Sequence, residues 1–537
     1  MNRDKKRSLP DFLEEAEIIA GALLFGGIII LLISCGEYPW RLAGNGRLLL
    51  CALPFWLIVG ILYLFREKHG KKSVVRHPVT WLFLLYLGIF VLQLLLVSRV
   101  YFYMGWDAGM LKYRVESVVN GGEMADTSAD VGYSTMPNNL LLFHIFFLIE
   151  KAGQLFSMEE PYHLCIYISC FCVCAACFLG HLILRRLVSS AVFQGVYLMF
   201  ALPMILFSPW IMVPYSDTYG MFFATLGMWG LLCLDRKYLK WAVTAFASVI
   251  GYQVKPSCVF PLFAAYMVYG VRFLASLKSR WKELCALILC TAAFWGIGLC
   301  IPLWIQQAHH FRLMPELELT YTHYLMMGIH PETNGIFNDD DYLLSIGCPD
   351  VETRERVNLE VFRDRWNAMR AEKTLWRFCR TKAVINYNDG TFSWGDQGPG
   401  FFAGYVEHDN AAAKWFKDIM VPPDAADFWK VPGKFYYLYR TFMQILWMSV
   451  LLGVVLAAAG RRENGTEKAC MMIVLCGLTA FVMLFEARAR YLFLYTPVFL
   501  SLSMCGYEAV CRRAGGLLSL KEKRVWLKRS EGESEKA

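Results

Sequence analysis

Apolar residues run along this chain in long stretches, near 17–35, 48–65, 79–97, 162–184, 188–212, 218–234, 240–254, 256–274, 283–305, 438–460, 469–485 and 491–511. A helix needs about 20 apolar residues to cross roughly 30 Å of hydrocarbon. The pattern therefore predicts an all-α polytopic membrane protein with about 12 transmembrane helices. A further stretch, 139–157, holds Glu150 and Lys151 and is amphipathic. It predicts an in-plane or re-entrant helix at the membrane surface rather than a crossing.

Basic residues fix an orientation, because short cytoplasmic loops are enriched in Lys and Arg. Arg3, Lys5, Lys6 and Arg7 precede the first stretch, and Arg66, Lys68, Lys71, Lys72 and Arg76 follow the second. Later clusters are Arg185–Arg186, Arg236–Lys237, Arg272 to Lys282, Arg461–Arg462 and the tail from Arg512. All of these share the cytoplasmic side only if 139–157 does not cross. Both termini are then cytoplasmic, and the expected location is the plasma (inner) membrane of a bacterium. The run from Glu17 to Cys35 lacks a small-x-small cleavage site and is followed directly by further spans, so it reads as an anchor rather than a signal peptide.

Composition agrees. The chain of 537 residues is 57% hydrophobic and 18% charged, whereas soluble domains run about 45–50% apolar and about 25% charged. That balance excludes a water-soluble enzyme and a disordered scaffold. The net charge of +8 is spread between loops instead of covering one soluble face, so no nucleic-acid partner is expected; the lipid bilayer is. Most of the 18 cysteines lie inside apolar runs, as Cys170, Cys172, Cys174 and Cys177 do, and act there as small packing residues. Cys348 and Cys379 fall in a long polar segment and would be able to form one disulfide if that segment is extracytoplasmic.

Two large polar regions emerge on the outer side, 98–161 and 306–437. The second is far longer than an ordinary connection; it predicts a helix from Arg354 to Lys382, followed by a glycine- and aromatic-rich stretch from Asn386 to Asp396. Asp107 lies in the first region, beside Trp106 and just past the third span. A carboxylate partly desolvated at that boundary would accept a proton from a hydroxyl nucleophile; its plainer role is a solvated loop acid or a helix cap. Asp217 starts the sixth helix and is expected to cap it with Ser216. Its sharper role is to hold a basic residue, or the acceptor, where several helix ends meet.

Lys255 sits in the tight outer turn Gly251-Tyr-Gln-Val-Lys-Pro256 and runs against the positive-inside bias. Arg488 and Arg490, in Glu486-Ala-Arg-Ala-Arg-Tyr491, do the same. Such a lysine can simply snorkel to the interface, but a phosphate at headgroup depth would account for all three cations. Tyr491 adjoins them. Trp394, with Trp366 and Trp376, is a candidate to stack on a sugar ring, against a default of buried packing. His309–His310, followed by His323 and His330, leave a divalent metal open, although adjacent residues on a helix cannot chelate as an i, i+4 pair does.

These elements, in this order, resemble the GT-C superfamily of integral-membrane glycosyltransferases. The likeness is to the family 39-like type, which includes bacterial protein-mannosyltransferases and aminoarabinose transferases. It rests on Gly105-Trp-Asp-Ala-Gly109, Met136-Pro-Asn-Asn-Leu140, Tyr215-Ser-Asp217, Lys255-Pro-Ser257 and Arg490-Tyr-Leu-Phe-Leu-Tyr-Thr-Pro497, and covers roughly residues 79–511. It implies a GT-C-like seven-helix core at 79–305 with a catalytic outer loop at 98–161. Residues 1–78 would be a cytoplasmic N-terminus with two additional helices. An extracytoplasmic loop domain at 306–437, three C-terminal transmembrane helices at 438–511 and a basic cytoplasmic tail at 512–537 complete the chain.

The resemblance further implies transfer of a monosaccharide from a polyprenyl-phosphate donor to an extracytoplasmic acceptor, with inversion at the anomeric carbon. Asp107 would be the general base. Asp217, Lys255, Arg488, Arg490, Tyr491 and Trp394 would bind substrate, with the cations on the lipid phosphate. Two departures bear on the acceptor: Ala108 follows Asp107 where the protein-mannosyltransferases have Glu, and their histidine before a double proline is absent, with Pro137 followed by Asn138–Asn139. A glycan or glycolipid acceptor thus stands beside a protein. The competing class is a polyprenyl-linked sugar flippase or transporter, or a polysaccharide polymerase or ligase. A secondary transporter, however, is expected to show internal repeats and mid-membrane charges, and neither is visible.

Overall fold

The computed structural model describes residues 8–35, 41–69, 78–103, 105–121, 132–394, 408–421 and 433–534. The basic residues Arg3 to Arg7, the loop cations Lys71, Lys72 and Arg76, and the pair Gly395–Asp396 lie outside the described residues. The fold is 81% helical and contains no strands among the described residues, as the apolar runs predict. Among the described residues, eight helices are long and apolar enough to cross a membrane. They are α1 (Leu9–Ser34), α2 (Asn45–His69), α3 (Pro78–Val97), α6 (His163–Leu187), α10 (Pro256–Ala275), α11 (Leu277–Ala308), α17 (Tyr436–Gly460) and α18 (Gly465–Leu484).

The other four predicted stretches are helical too. They contain α7 (Ala191–Ala201), α8 (Ser216–Cys233), α9 (Lys237–Tyr252) and α20 (Thr496–Ser534). The stretch 188–212 is not one helix as expected: α7 runs into a π turn at Leu202–Leu206 and then a 3-10 turn at Pro209–Met212. Pro203 and Pro209 have no backbone N–H and cannot continue the helical ladder. Buried Gln93 of α3 donates to the Leu206 carbonyl at 2.5 Å, satisfying an acceptor that the break sets free in apolar surroundings.

The core surrounds the N-terminal part of α20, where every residue from Thr496 to Ala509 is buried against α17, α6 and α7. Around it, α8 packs against α6 and α9. Peripheral helices present a broad apolar exterior, including Leu57, Trp81 and Leu289, which suits lipid rather than water.

Between α3 and α6 lie α4 (Asp107–Val119) and α5 (Leu140–Leu155), packed on each other. The amphipathic reading of 139–157 holds in α5: Leu142, Phe143 and Phe146 face inward while Leu148 and Leu155 are exposed. Four helices follow α11: α12 (Tyr321–Gly328), α13 (Asp339–Ile346), α14 (Val351–Ala371) and α15 (Leu375–Tyr387). The single helix expected over 354–382 is thus two, because Lys373 turns the chain through the left-handed region at φ 60° and ends α14 there. Ile329, Met369 and Phe378 form a small core of their own. Cys348 and Cys379 are both free thiols.

Beyond α15, Asp389 accepts from Thr391 N at 2.9 Å and Ser393 N at 2.9 Å and lies 3.3 Å from Arg440. These bonds hold Phe392 and Ser393 at positive φ. The chain continues through α16 (Ala411–Met420) to α17.

Candidate functional site

Four chain segments meet at one end of the helix bundle: the start of α4, the start of α8, the turn between α9 and α10, and the link between α18 and α20, which contains the short α19 (Arg490–Phe493). Their meeting point is Asp217. Its carboxylate, 2% exposed, is in ion-pair contact with Lys255 through Oδ1 and lies 3.3 Å from Arg490 Nε through Oδ2. The capping role expected of Asp217 falls instead to Thr218, whose hydroxyl accepts from Tyr215 N at 3.3 Å. Asp217 is left free to serve the two cations from the first turn of α8, where the helix dipole favours a carboxylate.

Lys255 is extended, as a residue before proline must be. Gly220 lets it approach α8: a Cβ added there would lie 3.4 Å from the lysine Cβ and 2.9 Å from Leu494. The Lys255 ammonium also lies over the Tyr491 ring, 4.7 Å from its centroid. Arg490 stacks on Trp106 at 4.2 Å, and Trp106 meets Tyr215 edge-on at 5.1 Å. The Tyr215 hydroxyl donates to Asp107 Oδ2 at 3.4 Å. On the other side, Glu486 accepts from Arg488 Nε at 3.1 Å and from the Tyr491 hydroxyl. Six of the residues singled out in the sequence, Asp107, Asp217, Lys255, Arg488, Arg490 and Tyr491, therefore belong to one connected cluster.

Charge is unevenly distributed in it. The buried inner trio has two cations, each 7% exposed, for one carboxylate. Arg490 Nη1 is buried without a hydrogen-bond partner among the described residues. A buried guanidinium N–H in that state costs free energy unless an acceptor reaches it. Burial lowers the tendency of Lys255 to hold its proton, with Asp217 opposing and Arg490 adding to the effect. Burial likewise works against the charge on Arg490, but Asp217, Tyr491, Tyr215 and Glu486 together outweigh it and hold that pKa above the ordinary value.

Three expectations change. Asp107, the first residue of α4, is exposed, so the desolvation anticipated for it is not seen. Trp394 is fully buried among Trp210, Phe102 and Phe416 and donates its indole N–H to the Met420 carbonyl at 2.9 Å; no ring face is open to a sugar. His309 pairs with His144 at 2.9 Å, and among the described residues no group of three or more His, Cys, Asp or Glu is placed to hold a metal ion.

The cluster also includes residues that reasoning from sequence passed over as sites: Trp106, Tyr215, Glu486 and Tyr324. The first three sit inside the same short motifs, so aromatic neighbours of the chosen charges were the available signal. Tyr324 comes from α12, where burial and then the nearby Glu486 and Asp107 raise its phenol pKa.

An apolar cavity of about 460 Å³ opens between α10 and α18, lined by Phe260, Met267, Ile473, Phe481, Leu484 and Phe485 among others. One wall begins five residues after Lys255, and the other ends at Phe485, directly before Glu486. Residues 46–510, and hence every member of the cluster, match the family described as conserved hypothetical integral membrane protein. The chain belongs to that family. It is thus an integral membrane protein, and the family match takes in both the cluster and the apolar cavity beside it. No curated protein and no solved structure matches the chain.

Proposed function

We propose that this protein is a membrane glycosyltransferase that moves a monosaccharide from a polyprenyl-phosphate carrier to an acceptor hydroxyl outside the cytoplasm, with inversion. The observation that carries the reading is the buried pair Lys255 and Arg490 sharing one carboxylate, with Arg490 Nη1 unpartnered, beside an apolar cavity. A donor with an anionic head and a hydrocarbon tail has the chemistry to fill both. In this reading twelve helices cross the membrane, both termini are cytoplasmic in a bacterial cell, and α4 and α5 lie at the outer surface.

Asp107 would take the proton from the acceptor hydroxyl as that oxygen attacks the anomeric carbon. The bond from that carbon to the phosphate oxygen breaks, and the electron pair leaves with the polyprenyl phosphate. Arg490 and Lys255 offset the charge that builds on the departing phosphate, with Arg488 at the rim. Exposure of Asp107 suits a base that must meet an acceptor arriving from water, and the Tyr215 hydroxyl at 3.4 Å orients its carboxylate.

The test is to incubate the purified protein with a polyprenyl phosphate bearing a radiolabelled monosaccharide, together with an extract of cell-envelope acceptors. Label passing from the lipid fraction to the acceptor supports the reading. Lipid-linked label that crosses the bilayer without leaving its carrier would instead identify a flippase.

A further inference from the structure

Lys382, on α15, is fully buried, and among the described residues no carboxylate lies within ion-pair distance of it. Its ammonium donates to two backbone carbonyls, that of Gly328 at the end of α12 and that of Phe485 at 2.5 Å. Three elements are therefore tied at one nitrogen: α15, the α12 end, and the segment that goes on to Glu486, Arg488 and Arg490. The backbones there are in direct contact. A Cβ at Gly328 would lie 2.2 Å from the Leu484 carbonyl oxygen, and Ala487 N donates to the Gly335 carbonyl at 2.8 Å. Gly335, at φ +80°, closes the turn against the Lys382 ammonium.

We propose that Lys382 is a positioning residue, a latch that docks the polar segment 306–393 onto the loop 485–490 and so sets the reach of Arg490 toward its anion. The consequence for the anion rests on the phosphate reading above; the latch itself does not. Burial pushes the Lys382 ammonium down to about 7, with Cys379 and Glu486 opposing; the Phe378 ring, 5.9 Å away, is its other close neighbour. The docked state thus disfavours the proton relative to an undocked, solvated lysine near its ordinary 10.5. By linkage, docking strengthens as pH rises from about 7 toward 10.5 and is weakest at and below 7.

The experiment is hydrogen–deuterium exchange of the detergent-solubilised full chain, corrected for intrinsic exchange, with affinity for a polyprenyl phosphate measured in parallel. In the wild type, protection of segment 486–493 is expected to rise about tenfold between pH 7 and pH 8.5, equivalent to about 1.4 kcal/mol. In Lys382→Met that protection falls about tenfold at pH 8.5 and loses its pH dependence. Lys382→Arg, charged throughout, restores neither. A wild type whose protection in 486–493 is flat with pH overturns the latch, and needs no variant to fold. So does a folded Lys382→Met with wild-type protection. Loosening by Lys382→Met in a protein that binds no polyprenyl phosphate supports the latch and overturns the donor reading; loosening with unchanged affinity overturns the positioning role.

Discussion

The guanidinium of Arg490 lies 4.2 Å over the ring centroid of Trp106, which joins the start of α4 to the link between α18 and α20. Arginine stacks on an indole and presents a planar fork; lysine does neither in the same way. Arg490→Lys should therefore keep a charge beside Asp217 yet weaken donor binding by about tenfold, as loss of a charge-assisted hydrogen bond does. Arg488→Gln, which alters a more exposed residue paired with Glu486, should change it less. Donor KM for each purified variant distinguishes the two arginines.

Asp217 and Asp107 separate stability from chemistry. Asp217→Asn leaves two buried cations without their carboxylate, and such uncompensated charge costs about 3–5 kcal/mol. Asp107→Asn changes an exposed residue and should leave stability within about 0.5 kcal/mol, while abolishing transfer. Thermal unfolding in detergent alongside a transfer assay checks both. Full activity in Asp107→Asn removes that residue from the mechanism.

Acid should loosen the polar segment. His323 of α12 is 1% exposed, with Nδ1 2.7 Å from Ser345 Oγ. Burial pushes its imidazole from 6.5 down to about 4, with Asp341 and Glu486 opposing and Arg354 assisting. A histidine pKa depressed by folding stabilises the fold above 6.5, and that contribution drains away as pH falls from 6.5 through 4. The loss at pH 4 is about 3 kcal/mol. Limited proteolysis within 321–371 as a function of pH should follow that window, and the window should be missing from His323→Gln.

Gly328→Ala places a methyl group 2.2 Å from the Leu484 carbonyl oxygen. Backbone must give way, so the variant should undock α12 from the end of α18 and expose 485–490 to proteolysis. Gly296→Ala, whose Cβ meets nothing within 4 Å, is the control and should behave as the wild type.

Much of this was legible in the residues. Unbroken apolar runs announced the helices, because a bilayer permits little else, and cations in short turns between or beside those runs marked Lys255, Arg488 and Arg490. Local reading failed where a long-range partner decides. For Asp217 the helix cap was the plainer reading because the sequence beside it shows no Lys255 or Arg490; for Trp394 the default of buried packing holds over the sugar platform, although the wall of Trp210, Phe102 and Phe416 comes from other segments. Lys373 broke the helix predicted over 354–382 with no glycine or proline to signal it.

The most direct test is equilibrium binding of a polyprenyl phosphate to the purified full chain, compared with the uncharged polyprenol of the same length and with Arg490→Gln, which retains the Lys255–Asp217 pair. The phosphate should bind at least about tenfold more tightly than the alcohol, and Arg490→Gln should erase most of that difference. Equal affinity for phosphate and alcohol, or a preference for phosphate that survives Arg490→Gln intact, would contradict the assignment of this cluster to a lipid phosphate.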